Sequence, residues 1–341
     1  MRSVEVRALS RSPGPESLRL HLADIPVPPP GHARVRVEAA GASYGDLLFQ
    51  RGVVPGGPKP PFTPGCDVTG VVESVGSAVT GLHPGERVCA LVVSGGYSAV
   101  INVPADRLVP VPDGLTAVQA AAIALNYFIA YQMLHRVAQV RSGQRILVHG
   151  ASGGVGIALL QLTRLIGDVQ VWGTCSFANL DVVRENGADP IDYREADFVR
   201  VIRAAGGRLH AAFDHIGGTH FWRSYRLLRN GGQLVAYGQN SALRDDGKPD
   251  MRIGAIGFLG GIAAPKLIPD GRRTAFYNAW SLDKKQPTAY REDLSAVLSL
   301  ASEGKIAPRS TTVLPLEEAN EAFRILEKGA QGKIVLDCDN E

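Results

Sequence analysis

The chain has 341 residues, with 36 Lys or Arg against 33 Asp or Glu, a formal net charge of +3 and 45% hydrophobic residues. That length and apolar fraction suit two domains with a sizeable core, and the small net charge, with no basic run, gives no sign of a nucleic-acid surface. The four cysteines, Cys66, Cys89, Cys175 and Cys338, lack zinc-knuckle spacing and are too sparse for a disulfide framework, so a reducing, cytoplasmic setting is expected.

The chain opens without the apolar h-region of a signal peptide. Residues 1–110 read as all-β: short alternating runs, such as residues 33–39 and 68–75, are separated by Pro/Gly turns, of which Pro26-Val27-Pro28-Pro29-Pro30-Gly31 is the stiffest. Many short strands with few helices predict a small barrel. Residues 116–137 form an alanine-rich helical stretch. From Arg145 the pattern alternates, with strands at 145–149, 169–174, 211–214 and 233–237. Between them lie helices at 156–166, at 179–186 with Gly187 at its C′ position, and at 221–228. This rhythm predicts a parallel sheet with helices on both faces. Residues 240–275 break it. A polar run, with Asp245-Asp246-Gly247-Lys248-Pro249 as a turn, precedes an apolar, glycine-rich segment. That reads as a solvated loop followed by an apolar lid or pocket wall, or as a disordered excursion. The longest apolar stretch, residues 253–264, is too short to span a bilayer, so no membrane partner is expected. A helix at 291–302 and a strand at 332–337 follow, the strand expected to return to the N-terminal barrel. There are no internal repeats.

The most informative stretch runs Arg145-Ile146-Leu147-Val148-His149-Gly150-Ala151-Ser152-Gly153-Gly154-Val155-Gly156, from strand through glycine loop into helix. That context is what a dinucleotide fingerprint requires. Gly153 lets the backbone approach a pyrophosphate, Gly156 allows helix–strand packing, and the helix N-terminus supplies free N–H groups and a positive dipole end. Ala151 replaces the first glycine of G-x-G-x-x-G; a glycine turn without a ligand is the bland alternative. NAD enzymes place an acid at the end of the second strand to bond the ribose 2′-OH. Here that strand ends Thr174-Cys175-Ser176-Phe177-Ala178-Asn179, and no acid appears before Asp181. Ser176 is placed to bond a 2′-phosphate, with Arg184 or Arg194 to neutralise it, so NADPH is the expected cofactor. Among the histidines, His149 reads as core, His215 sits at the carboxyl edge where cofactors bind, and His210 and His220 read as exposed.

Gly143-Gln144, Leu147, Ala151-Ser152-Gly153-Gly154, Gly156, Gln161 and Arg164 match the signature of the zinc-free medium-chain dehydrogenases/reductases of the quinone oxidoreductase/zeta-crystallin family, which this chain resembles throughout. Pro64-Gly65-Cys66-Asp67-Val68-Thr69-Gly70 and Pro84-Gly85-Glu86-Arg87-Val88 resemble the family's barrel. Leu125-Asn126-Tyr127 and Glu185-Asn186-Gly187-Ala188-Asp189 look closest to its vesicle amine transport protein branch. The resemblance implies an α/β protein. Its GroES-like β-barrel catalytic domain is expected over 1–122, completed by 305–341, and its NADP-binding Rossmann domain, a doubly wound parallel sheet, over 123–304. It also implies a homodimer. The nucleotide site is expected to draw on Ala151, Ser152, Gly153, Gly154, Val155 and Gly156. Thr174, Ser176 and Asn179 then follow strand two, and Tyr193, His215 and Gly238 later strands.

Zinc-dependent members place Cys in a G-x-C-x-x-D motif and a His-Glu pair before a barrel glycine. Here the motifs read Gly41-Ala42-Ser43-Tyr44-Gly45-Asp46 and Gly65-Cys66-Asp67, so no metal is expected. The family's usual Asn is Ser43, its tyrosine four or five residues on is Leu48 or Phe49, and its lysine after strand two is Asn179. Without a Lewis acid, conjugate reduction is easier than carbonyl reduction, because enolate charge is spread and hydrogen-bond donors suffice to hold it. The candidate donors are Ser43, Tyr44, Asn126 and Tyr127, with Tyr44 the proton donor and Asp46 structural. The expected function is NADPH-dependent reduction of a small-molecule enone or quinone. The alternatives are a polyketide-type tailoring enzyme on the same fold, redox or not, and a nucleotide-binding structural protein.

Overall fold

The structure, a computed structural model, describes residues 4–10, 18–25, 27–52, 54, 56–243, 250–279, 287–329 and 332–339. Pro26 of the proline turn and the turn expected at 245–249 lie outside the described residues. The chain divides into two compact units: Met1–Phe128 with Thr288–Glu341, and Ile129–Pro287.

In the first unit, β1 (Val4–Ser10) and β2 (Leu18–Asp24) form an antiparallel pair. The main sheet has seven strands. Its order is β14 (Thr311–Pro315), β15 (Lys333–Asp337), β3 (His32–Ala42), β4 (Asp67–Val75), β5 (Arg87–Leu91) and β7 (Val109–Pro110), with β6 (Val100–Pro104) also on β3. β3 is the spine because its sequence alternates: Ala33, Val35, Val37 and Ala39 are fully buried while His32, Arg34, Arg36 and Glu38 are partly exposed. One edge of β3 takes β4; the other is shared by β6, opposite residues 32–36, and by β15, opposite residues 39–42. The last strand therefore does return to the N-terminal sheet.

Helix α1 (Tyr44–Gln50) follows β3, and α2 (Ala117–Gln132) lays Ala121 and Ala122 on Ala39 and Val335. Helix α8 (Pro287–Ser302) goes with this unit, so the boundary falls earlier than residue 305. The reason is Tyr290. Its buried hydroxyl accepts from Leu91 N (2.9 Å) and donates to the Arg107 carbonyl (3.0 Å), its ring packs edge-on against Phe128, and the Arg107 guanidinium lies over it at 4.0 Å. Helix α9 (Ala319–Glu327) closes the core with Phe323 against Tyr97.

The second unit is built on a six-stranded, fully parallel sheet. Its order is β10 (Asp189–Asp192), β9 (Gln170–Cys175), β8 (Arg145–Val148), β11 (Leu209–Asp214), β12 (Leu228–Ala236) and β13 (Arg273–Phe276). The central strands are buried on both faces, which is why they read as continuous apolar runs. The chain winds outward from β8 in one direction and from β11 in the other. The switch point lies between them, and ligands bind outside the carboxyl ends there. Helices α3 (Gly154–Ile166), α4 (Leu180–Glu185), α5 (Phe198–Ala204) and α6 (Thr219–Tyr225) connect the strands. The sequence did not show β10 or α5, which are four and seven residues long.

Residues 251–276 are not a disordered excursion. They form α7 (Met251–Phe258), a π-turn at Leu259–Ala263, a 3-10 turn at Ala264–Leu267 and then β13. The glycines that obscured this helix are there for close packing. A Cβ on Gly261 would lie 2.4 Å from Phe221, and one on Gly257 2.9 Å from Gly218. Ile262 enters the core, while Ile253, Ile256 and Leu259 stay exposed. Among the described residues the longest apolar helix is not here but at Ala117–Ala138, where α2 continues into a π-turn; it has the length and composition to cross a membrane, and two thirds of its most apolar window is buried, as in a core helix.

Tyr290 gives the fold its first test. Tyr290→Phe leaves Leu91 N without that partner, and a buried orphan donor costs about 1–3 kcal/mol. Urea denaturation is expected to show that loss; an unchanged midpoint would mean that Tyr290 anchors α8 through its ring alone.

Candidate functional site

In the second unit the glycine loop follows β8 at the switch point. Gly150 has φ +61°, and a Cβ on it would lie 2.3 Å from the His215 ring. A Cβ on Gly156 would lie 2.3 Å from the Gly150 carbonyl, so side chains are barred at both positions. Gly153 is the N-cap of α3, extended at φ −78°, exposed, and without a side chain to bond the first-turn N–H groups. Those groups, together with exposed Gly154 and half-buried Ser152 and Val155, are free to meet an anion. This is the cradle a dinucleotide pyrophosphate fits. His215 lies between Gly150 and Gly238, whose own Cβ would come within 3.1 Å of it, so two of the expected cofactor residues, His215 and Gly238, converge on the glycine loop.

The loop rests on a buried polar chain whose direction can be deduced. Its neighbours hold Asp214 well below the usual carboxylate range: desolvation by burial opposes the ionised form, but His149, His220 and the Ser224 hydrogen bond outweigh it. Asp214 is therefore an acceptor, and Ser224 Oγ donates to it at 2.8 Å. Having spent its proton, Ser224 accepts from His149 Nε2 at 3.0 Å. Burial pushes His149 down to about 3, so the ring is neutral with its proton on Nε2. Its Nδ1 then accepts from Thr174 Oγ1 at 3.0 Å, and Thr174 Oγ1 accepts from Gly150 N at 3.2 Å. At the far end Asp214 Oδ1 accepts from Ile216 N and Gly217 N. One proton-ordered chain thus ties the glycine loop to the loop after β11. His149 is core, as expected, but Ser224 and Asp214 went unnoticed in the sequence, and Thr174 acts beneath the loop.

His220 is not exposed. Its ring packs 4.6 Å from His149 and 5.0 Å from Phe198, with Nδ1 3.6 Å from Asp214 Oδ2. His210 is half-buried, accepting from Arg145 N and bonding Arg229. The potential ligand atoms of His149, Asp214 and His220 lie within 4.8 Å of one another, but both His149 nitrogens are already engaged.

At the end of β9, Ser176 is half-buried and accepts from Asn179 Nδ2 (3.1 Å); exposed Tyr193 reaches the same strand through its N–H to the Cys175 carbonyl. Arg194 lies 5.8 Å from the Tyr193 ring, whereas Arg184 is paired with Asp181 on exposed α4. Of the two arginines proposed to neutralise a 2′-phosphate, Arg194 is the one without a carboxylate partner among the described residues. Asp192, which the sequence reading did not weigh, stands beside Cys175 on the neighbouring strand.

In the first unit, Ser43 is not a substrate donor. It caps α1, donating to Asp46 Oδ2 at 2.7 Å while its oxygen accepts from Asp46 N. Asp46 is structural, as expected: it also takes Ser43 N, Gly65 N and the Tyr97 hydroxyl. Tyr127 is buried, its hydroxyl donating to the Ala307 carbonyl at 2.7 Å, so it too is withdrawn as a donor. Tyr44, 38% exposed, and half-buried Asn126 keep side chains without hydrogen bonds among the described residues. The zinc-ligand positions do not suit a metal. Ser43 is committed to its cap, and burial, with Asp46 and Asp67 nearby, raises the Cys66 thiol well above its usual range, against thiolate formation. Lys333, which the sequence did not single out, lies buried 3.6 Å from Asp67.

Residues 29–113 match the model of the alcohol dehydrogenase GroES-like domain, and residues 186–336 that of the zinc-binding dehydrogenases. The chain is 33% identical over 310 residues to a zebrafish (Danio rerio) synaptic vesicle membrane protein VAT-1 homolog, covering 90% of this chain but only 64% of that relative's length. It is 35% identical over 233 residues to the quinone oxidoreductase of Mus musculus, covering 66% and 70% of the two chains. Among solved structures, the quinone oxidoreductase of Pseudomonas syringae superposes with a TM-score of 0.84 at 26% identity, covering 98% of this chain and all of that one.

The buried chain has an acid signature. His149 is held below, and Asp214 below, their unfolded values, so in both cases the unfolded state binds more protons as pH falls. Stability is expected to decline as pH drops from about 6.5 toward 3, His149 contributing a slope of up to about 1.4 kcal/mol per pH unit. Denaturation at stepped pH should show that slope flattened in His149→Gln; an equal slope in both proteins would place the sensitivity elsewhere.

Proposed function

Because the chain belongs to the medium-chain dehydrogenase/reductase superfamily, among the quinone oxidoreductase and VAT-1 relatives, we propose that it is an NADPH-dependent reductase of quinones or enones that works without zinc. When bound, the nicotinamide supplies a hydride to a conjugated acceptor. The observation that carries this reading is the donor set of the first unit: a capping serine and a protonated, buried cysteine stand where a zinc-dependent enzyme needs thiolate and imidazole. The chemistry must suit the donors that remain. Hydride addition to an isolated carbonyl concentrates charge on one oxygen and calls for a metal or an acid beside it. Addition to a conjugated system spreads the charge, and one phenol and one amide can hold it.

The roles follow. The Tyr44 hydroxyl, uncommitted and solvent-accessible, donates to the substrate oxygen and delivers the proton. Asn126 adds its amide N–H groups. The glycine loop binds the pyrophosphate, and the His149 chain keeps the loop in register. Ser176, Asn179 and Tyr193 face the 2′-phosphate, with Arg194 as its counter-ion. Four free, buried cysteines support a cytosolic setting, and we keep the homodimer as part of the same proposal.

Two experiments test it. NADPH is expected to bind more tightly than NADH, and Ser176→Ala or Arg194→Ala to weaken NADPH alone, by about tenfold, since a charge-assisted hydrogen bond contributes about 1.5–3 kcal/mol. Fluorescence titration giving equal affinities for the two nucleotides in the unmodified protein would overturn the cofactor assignment. In steady-state assays with NADPH, a simple quinone and a small enone are expected to turn over and an isolated aldehyde not. Tyr44→Phe should lower kcat about 10²–10⁴-fold with NADPH affinity unchanged. Aldehyde reduction as fast as enone reduction, with Tyr44→Phe silent, would sink the mechanism.

A further inference from the structure

We propose that the second unit carries another ligand site, a pocket for a small polyphosphate anion, on the edge of the sheet opposite the glycine loop. Arg203, Arg208, Arg226 and Arg272 line one solvent-facing cavity of about 520 Å³, whose remaining wall is two glycines and two leucines. The topology fixes its place. Arg203 is in the last turn of α5, Arg208 precedes β11, Arg226 closes α6 before β12, and Arg272 precedes β13. All four sit at the amino ends of parallel strands, whereas the glycine loop follows the carboxyl end of β8. The pocket is therefore independent of the dinucleotide reading.

Most of the charge is uncompensated. No Asp or Glu lines the cavity. Arg272 is offset by Asp270 at 3.6 Å, whose carboxylate also accepts the Tyr225 hydroxyl. Arg203, Arg208 and Arg226 have no carboxylate partner among the described residues. Cations at helix C-termini are ordinary and account for Arg203 and Arg226. They do not account for Arg208 and Arg272, which lie on loops leading into strands. Guanidinium forks bind phosphate oxygens in pairs, and like charges around one concavity focus the field on an anion. Pockets for uncharged small molecules are mostly apolar, whereas half of the residues in this wall are arginines. Three unpaired cations in a cavity of this size match a ligand with two or three phosphate groups. The sequence hides the site because its arginines are scattered over about seventy residues, with no basic run.

Tripolyphosphate at low ionic strength is the probe, with binding read by titration calorimetry. Gly153→Asp serves as background, because Asp is a good N-cap at that exposed, extended position and repels phosphate from the glycine loop. Gly153→Asp is expected to keep binding tripolyphosphate. Adding Arg208→Ala and Arg226→Ala should weaken it about tenfold or more without lowering the Tm, and raised salt should weaken it in the Gly153→Asp protein. In the Gly153 protein, the arginine pair should leave NADPH affinity as it was. The proposal is overturned if Gly153→Asp binds no tripolyphosphate at millimolar concentration, or if the arginine variant binds it equally well, in which case the arginines only balance helix ends.

Discussion

The neutral state of one histidine organises the second unit. His149 is fully enclosed, and removing an imidazolium from water is costly enough to keep the ring uncharged even 3.7 Å from an ionised carboxylate. Neutrality leaves one donor and one acceptor. Asp214 settles which nitrogen is which, because a carboxylate can only accept and so orients Ser224, which orients the imidazole, which orients Thr174. A charged ring would have two donors and would reverse the bond to Thr174, whose hydroxyl would then accept from both His149 and Gly150. The glycine loop is thus positioned by a buried protonation state, and no residue of this hydrogen-bonded series has to touch a ligand to matter for the loop.

The first unit uses the same device with a different centre. Asp46 collects two backbone N–H groups and two hydroxyls, Ser43, Gly65 and Tyr97 among them. A superfamily fold built around metal ligands at these positions would lose its local geometry when the ligands are replaced, unless something else ties the segments together. Asp46 does so: it fastens the start of α1 to the turn before β4. Cys66 is left as a small buried thiol beside two carboxylates, an environment that opposes the thiolate a metal would require. Lacking that ligand set and keeping the fold are therefore compatible.

The alternation of strand and helix, the glycine loop, the return of the last strand and the family itself were legible because each is local or periodic. β3 shows its buried alternation in sequence, and the loop shows its glycines. What was hidden is non-local. Thr174 and Ser224 stand 25 and 75 residues from the histidine they bracket, and no spacing rule links them. Ser43 and Tyr127 resembled free donors because sequence shows a hydroxyl but not its partner; the partners are Asp46, three residues on, and Ala307, 180 residues on. The first of these carried a signal, since Ser followed three residues later by an acid is a capping pattern. α7 and the π-turn after it were missed because Gly254, Gly257, Gly260 and Gly261 break the helical pattern, although Gly257 and Gly261 mark close packing.

Satisfaction of polar groups separates scaffold from site. Where a buried polar atom is fully bonded, as along the His149 chain and around Asp46, it fixes geometry and has nothing left to offer a ligand. Where a polar group is accessible and unbonded, as at Tyr44, Asn126, the first turn of α3 and the arginines of the amino edge, its hydrogen-bonding capacity is available to a partner. A few groups fit neither class: Lys333 Nζ and Asp67 Oδ2 are buried and lack hydrogen-bond partners. Their 3.6 Å separation still lets them attract in a medium that screens weakly. Gly41 is why they can sit there, since a Cβ on it would lie 2.6 Å from both side chains. Burial has pushed Asp67 up to about 6, the desolvation of its carboxylate outweighing the pull of Lys333. An ion pair held at that balance point contributes little net stability; what it does supply is a contact locked between β3, β4 and β15, which fixes how these three strands meet.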